Sequence, residues 1–183
     1  NWAIINGEKE TGVTTFKLTH EIDTGNILLQ RRVPINENDT AGDIHDKLKI
    51  AGAELLTLTI NGLTNGTITE KPQEMHDVTH APKIFTETCR INWNQPVKNI
   101  HDHIRGLSPF PGAFTDWQDK MLKIYRTEPK RHDITSPPGA WETDNKKFLR
   151  FAGTDGYVYV KELQLEGKKR MTVEDFLRGY RPG

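Results

Sequence analysis

The stretch 65–83 limits the folding of this 183-residue chain more than any other: it holds Asn65-Gly66, Pro72 and Pro82 and few apolar positions. Proline interrupts both helix and sheet ladders, and Asn-Gly marks a turn, so the pattern predicts an extended linker. Two folding units follow, 1–64 and 84–183. Charge divides at the same place. The chain is neutral overall, with 25 basic and 25 acidic groups, yet residues 1–83 carry eight basic against twelve acidic groups and residues 84–183 carry seventeen against thirteen, balances of −4 and +4. The neutral total excludes a uniformly basic nucleic-acid coat and an acidic solvating tail, while the split directs any polyanionic partner to the second half. The longest nearly apolar run, Leu55 to Ile60, is broken by threonines and falls far short of the roughly 20 residues a membrane span needs. Cys89 is the single cysteine, which leaves no intrachain disulfide and favours a reducing compartment. The first residue is Asn1, without an initiating Met or an apolar leader, and the expectation is that an upstream part is missing.

In the first half, Val13 to Leu18 and Asn26 to Ile35 read as strands flanking a loop, Thr19 to Gly25. A helix is predicted to begin near Asp39-Thr40, to bury Ile44, Leu48, Ala51, Leu55 and Leu58, and to end around Asn61-Gly62. The second half opens with a short helix presenting Val97, Ile100 and Ile104, stopped by Ser108-Pro109-Phe110-Pro111-Gly112. Strands are predicted over 113–117, 121–126, 147–152 and 157–165, the rhythm of a small barrel, and a last helix over 173–178 behind a Thr172/Asp175 capping pair.

Asp23, at the end of the 19–25 loop, is the most suggestive candidate for chemistry. A carboxylate there can orient a histidine, take part in proton transfer, hold a water, or simply cap its own turn. His20 and Glu21 share the loop, and spacing alone assigns them no role. The seven histidines do not form a metal pattern: His76 and His80 sit in the linker, and His101 and His103 splay from a helix, so all four are expected to be solvated. Basic groups cluster at Lys120, Lys123, Arg126, Lys130 and Arg131, at Lys146, Lys147 and Arg150, and at Lys168-Lys169-Arg170. On a barrel such groups can track a phosphate backbone or form an ordinary solvated face.

Glu10-Thr11-Gly12-Val13-Thr14 and His20-Glu21-Ile22-Asp23-Thr24-Gly25 resemble the formyltetrahydrofolate-dependent transferases. Arg90-Ile91-Asn92-Trp93, the run Ile104 to Ala113 and the segment Gly167 to Tyr180 are similar to the methionyl-tRNA formyltransferase branch of that family. The resemblance covers essentially the whole chain. It implies an α/β plus β fold: a truncated Rossmann-like formyltransferase domain over 1–64, the linker 65–83, and an OB-like β-barrel tRNA-binding domain over 84–183. It further implies 10-formyltetrahydrofolate as formyl donor, initiator Met-tRNA as partner, no metal, a cytoplasmic location in translation initiation, and a monomer when full length. Asp23 is the counterpart of the family's catalytic aspartate, and Thr19, His20, Glu21, Ile22 and Asp23 would line the pterin pocket. The family's catalytic Asn and His precede the residues matching Asn1 to Ile4, so these 183 residues alone are expected to be inactive. The tRNA contacts implied are Arg105, Lys123, Arg126, Lys130, Arg131, Lys146, Lys147, Lys168, Lys169 and Arg170. A formyltransferase acting on an amino sugar and a non-catalytic RNA-binding module are the alternatives.

Overall fold

The β-branched run at Val13-Thr14-Thr15 and the apolar run at Ile27-Leu28-Leu29 become strands β1, Glu10–Phe16, and β2, Ile27–Pro34, in a computed structural model that describes residues 1–74 and 79–180. His76 lies outside the described residues. The chain groups into two compact units, one of Glu8–Asp39 and Asp43–Pro82, the other of Asn1–Gly7, which holds the short helix α1 (Trp2–Ile5), Thr40–Gly42 and Lys83–Gly183.

In the first unit β1 and β2 pair antiparallel, Glu10 opposite Pro34 and Thr15 opposite Leu29, with a register shift between Thr15 and Phe16 where the strands give way to the loop. No parallel pairing among the described strands displays the Rossmann-like sheet that the resemblance implies. The long helix α2, Ala41–Thr64, buries Ile44, Ala51, Leu55 and Thr59. Leu58, expected on that face, is instead 58 % exposed. Thr59 takes the place because its hydroxyl meets the Thr15 hydroxyl at 2.8 Å and also donates to the Leu55 carbonyl at 2.8 Å. A buried hydroxyl so satisfied costs little.

Part of the predicted linker is not free. Lys71 and Ile27 exchange two backbone hydrogen bonds, at 2.7 and 2.9 Å, and the Glu70 carboxylate accepts from Lys17 Nζ at 2.8 Å and Asn26 Nδ2 at 3.1 Å. The residue before a proline is biased to extended backbone. Lys71, preceding Pro72, is therefore shaped to pair with the open edge of β2.

The second unit is built on an antiparallel sheet in the order β3 (Ala113–Trp117), β4 (Lys120–Arg131), β7 (Gly156–Leu165), β6 (Leu149–Ala152) and β5 (Trp141–Thr143), with β8 (Met171–Thr172) beside β7. Helix α3, Val97–Gly106, lies against β4 and β7 and seals Val97, Ile100 and Ile104 from water. Register shifts at Ile124/Arg126 and Arg126/Thr127 in β4 add twist, and the sheet curls. The expected barrel is met as this curled antiparallel sheet; among the described residues no pairing joins β5 to β3. β4 continues past the predicted end at Arg126 through Pro129. Beyond Ile124 it has no β3 neighbour, so the missing N–H of Pro129 leaves no ladder bond unmade. The three residues of β5 were too short a run for the sequence pattern to reveal.

The N-termini of the last two helices are closed by side chains. Asp155, in the β6–β7 turn, accepts from the backbone N–H of Val97 at 2.7 Å and caps α3. Thr172 accepts from the N–H of Asp175 at 3.2 Å and caps α4, Val173–Gly179, as the capping pair predicts. Trp93 stacks on Phe151 with centroids 4.5 Å apart, and Trp117 gathers Trp141, Phe176 and Tyr180 within 5.7 Å, tying α4 to the sheet.

One ion pair is set inside the apolar packing. Asp102 accepts from Arg105 Nε at 2.7 Å and also pairs with Lys98, while Asp102 and Arg105 are only 3 % and 4 % exposed. Removing one partner of a buried pair leaves an uncompensated charge. Arg105→Ala is therefore expected to destabilise the second unit by about 3 kcal/mol, seen as a lower denaturant midpoint in urea unfolding, and Arg105→Lys by less.

Candidate functional site

Two features carry polar side chains suited to chemistry or to a charged ligand. The first is the loop between β1 and β2. Its neck is closed by a backbone hydrogen bond from Lys17 N to Asn26 O at 2.9 Å. Glycine is required at position 25, because a Cβ there would lie 1.5 Å from the Lys17 carbonyl oxygen. Within the loop the Thr19 and Thr24 hydroxyls converge on the Glu21 carbonyl, at 3.0 and 3.2 Å, and on each other at 2.9 Å. Asp23 stands at φ +59°, the left-handed region that aspartate tolerates better than most residues.

From the returning segment, Gln73 Nε2 donates to the Asp23 carbonyl and to the Gly25 carbonyl, each at 2.7 Å. The loop is thus held at its neck and near its crown. The side chains of Thr19, His20, Glu21, Ile22 and Asp23 are all exposed, and Leu18 and Ile22 present apolar surface at 87 % and 89 % exposure. Short loops of this kind, pinned by a rigid scaffold, are suited to presenting a carboxylate to a ligand. Gln73 had no signal in sequence except its place after Pro72.

The second feature is the outward face of β4 and β7. Cationic and aromatic groups interleave along it: Arg170 over Tyr125 at 4.3 Å, Lys130 over Tyr159 at 4.8 Å, and Arg150 over Tyr157 at 3.9 Å. Glu162, Glu128 and Glu142 lie between them. Glu162 pairs with Arg126 and Arg170, Glu128 with Lys130 and Lys161, and Glu142 with Arg150, so cations outnumber carboxylates on the face. Pairing with Lys161 and Lys130 holds the Glu128 carboxyl below its ordinary pKa, and Arg150 does the same for Glu142. Each of these five cations is at least partly exposed.

The candidates from sequence fall into three groups. Lys123, Arg126, Lys130, Arg131 and Arg170 lie on this face or at its margin; Lys123 Nζ donates to the Pro111 carbonyl at 3.2 Å and Arg131 sits 3.3 Å from Asp155. Lys146 and Lys147, and Lys168 and Lys169, are exposed on the turns flanking β6 and β7. The first turn is organised by Asp144, whose carboxylate accepts from the N–H groups of Lys146, Lys147 and Phe148; these bonds hold its pKa down to about 2. Arg105 does not belong with them, since it is buried on Asp102 and braces α3 from within. Arg150, already in the basic cluster of 146–150, and Lys161, Tyr157 and Tyr159 complete the face. The alternation of outward positions along 157–161 was the signal that could have found the last three.

Among the described residues no group of three or more His, Cys, Asp or Glu is placed to hold a metal ion, and no helix is long and apolar enough to cross a membrane.

Residues 83–181 match the model of the formyl transferase C-terminal domain, and residues 1–60 that of the formyl transferase domain. A methionyl-tRNA formyltransferase of Parabacteroides distasonis is 48 % identical over 99 % of this chain, and the chain spans 59 % of that relative's length. Among solved structures, a HypX variant from Aquifex aeolicus covers 100 % of this chain with 33 % of its own, at TM-score 0.72 and 21 % identity, a likeness of fold. An N-formyltransferase from Helicobacter canadensis, in complex with folinic acid and dTDP-3-aminofucose, covers 86 % of this chain with 58 % of its own, at TM-score 0.68 and 25 % identity.

The close approach at Gly25 yields a direct test of the loop. Gly25→Ala is expected to cost the first unit about 1–3 kcal/mol, read as an earlier urea midpoint, while Thr24→Ser, which keeps the hydroxyl, leaves it unchanged.

Proposed function

We propose, since this chain belongs to the formyl transferase family, that it serves in transferring the formyl group of 10-formyltetrahydrofolate to the α-amine of initiator methionyl-tRNA. The observation that carries the reading is the cationic and aromatic face on β4 and β7, present in a chain 48 % identical to a methionyl-tRNA formyltransferase. An amino-sugar substrate would give so extended a face nothing to meet. In this reading 1–64 belongs to a Rossmann-like domain and 84–183 to an OB-like one, joined by 65–83.

The donor supplies the formyl carbon. The attacking amine must lose a proton and the leaving folate nitrogen must gain one, so a group able to hold or steer a proton is needed beside them. Asp23 would serve in that role, being exposed on a loop held at its neck by Lys17 and Asn26 and near its crown by Gln73. Its carboxylate would orient and stabilise the family's imidazolium, while the family's asparagine donates to the developing oxyanion. The loop fits a flat heteroaromatic ring: Leu18 and Ile22 offer apolar surface, and the backbone of Thr19 to Asp23 offers polar edges.

The tRNA backbone would lie on the second unit, with Lys123, Arg126, Lys130, Arg131 and Arg170 along the face and Lys146, Lys147, Lys168 and Lys169 at the turns. Phosphate contacts release counterions, so affinity must fall with salt. Binding of initiator Met-tRNA to this chain, measured from low to moderate potassium chloride, is expected to give a steep negative slope of log K against log salt. Replacing both Lys168 and Lys169 by Ala should reduce that slope by about 2; no binding at low salt would refute the reading. In the active enzyme, Asp23→Asn is expected to cut kcat by about 10²- to 10⁴-fold while KM for Met-tRNA stays within twofold.

A further inference from the structure

We propose that Gln73 is a positioning residue for the Asp23 loop, acting as a two-proton clamp from outside the loop; the catalytic consequence rests on the function proposed above, the clamp itself on geometry alone. One nitrogen, Nε2, lies 2.7 Å from both the Asp23 and the Gly25 carbonyl oxygens. An amide NH₂ carries two protons, one for each acceptor. The same network sets the direction of the amide, since Oε1 in that place would face two carbonyl oxygens.

The two acceptors flank Thr24, immediately after the left-handed Asp23. Left-handed backbone is about 1–2 kcal/mol less favourable than right-handed for a non-glycine residue, so it persists where neighbours hold it. Here the holders come from a separate part of the chain. Lys71 is bonded twice to Ile27, at the far side of the loop, and Glu70 is bonded to Lys17 and Asn26, at the neck. Pro72 restricts the backbone between those bonds and Gln73. The segment 70–73 therefore grips the neck of the loop and reaches from it to the peptide groups beside Asp23. Those peptide groups decide where the Asp23 carboxylate stands, and a displacement of about 1 Å at a reacting group can cost 10²-fold in rate.

The decisive comparison is between Gln73→Glu, nearly identical in shape but an acceptor only, and Gln73→Lys, similar in reach and still a donor. In the active enzyme Gln73→Glu is expected to lower kcat about tenfold or more, the effect of losing hydrogen bonds worth about one decade each. KM for Met-tRNA should stay within twofold, since the phosphate contacts lie on the second unit, and Gln73→Lys should keep kcat within about threefold of the parent. Amide hydrogen exchange in this 183-residue chain reads the clamp without turnover: Gln73→Glu should speed exchange in residues 18–26, with α3 and β7 unchanged. Equal loss of kcat in both variants, or unaltered kcat and exchange in Gln73→Glu, overturns the proposal. A parent enzyme that does not formylate Met-tRNA refutes the function instead, and the exchange comparison still decides the clamp.

Discussion

The second unit depends on β4. This twelve-residue strand pairs with β3 along its first part and with β7 along nearly its whole length, and α3 packs against both β4 and β7. Its register shifts around Arg126 let one strand serve both neighbours, because an extra residue in an antiparallel ladder increases local twist. Inward positions such as Leu122 and Ile124 are fully removed from water, while Lys123, Tyr125 and Lys130 point the other way. The same strand therefore builds the core and displays the charge. Gly156, opposite Arg131, completes the arrangement: a Cβ there would sit 2.1 Å from the Lys130 carbonyl.

The first unit works on a smaller scale. Its hairpin and helix bury few side chains, so the order of its loop comes less from apolar packing than from hydrogen bonds delivered by residues far away in sequence: Lys17 with Glu70, Ile27 with Lys71, Asp23 and Gly25 with Gln73. Bonds of this kind contribute about 1 kcal/mol each when solvated competitors are near. Their value here is directional. They fix which way peptide groups face, and a hydrophobic contact cannot do that.

The division of labour proposed for the chain follows from these two constructions. A carboxylate that steers a proton needs a defined position and little surface, which a pinned loop supplies. A polyanion needs many cations spread over a broad face, each held by a nearby ring or carboxylate, and a curled sheet supplies that. Arg105 shows why charge alone does not identify such a face. In sequence it is one more arginine on a predicted helix; in the structure it is committed to Asp102 inside the core.

Much of the architecture was legible in the amino-acid order. The two strands flanking the Asp23 loop, the helix after Asp39-Thr40, four of the five strands of 113–165 and the Thr172 cap are each set by local chemistry: β-branched runs, apolar spacing and a hydroxyl three residues before an acid. Asp23 itself was reachable through its motif. Tertiary structure decided the rest. It placed Thr59 rather than Leu58 inside, buried Arg105, joined Lys161 and Tyr159 to the basic face, and turned part of an expected linker into the support of the loop. Thr15 selects Thr59, and Gln73 reaches the Asp23 carbonyl, from far along the chain; Arg105 meets Asp102 only three residues away, and it is the packing of α3 against β4 and β7 that puts that pair inside. Periodicity is a property of neighbours, whereas these choices belong to hydrogen bonds and packing between segments that meet only once the chain has folded.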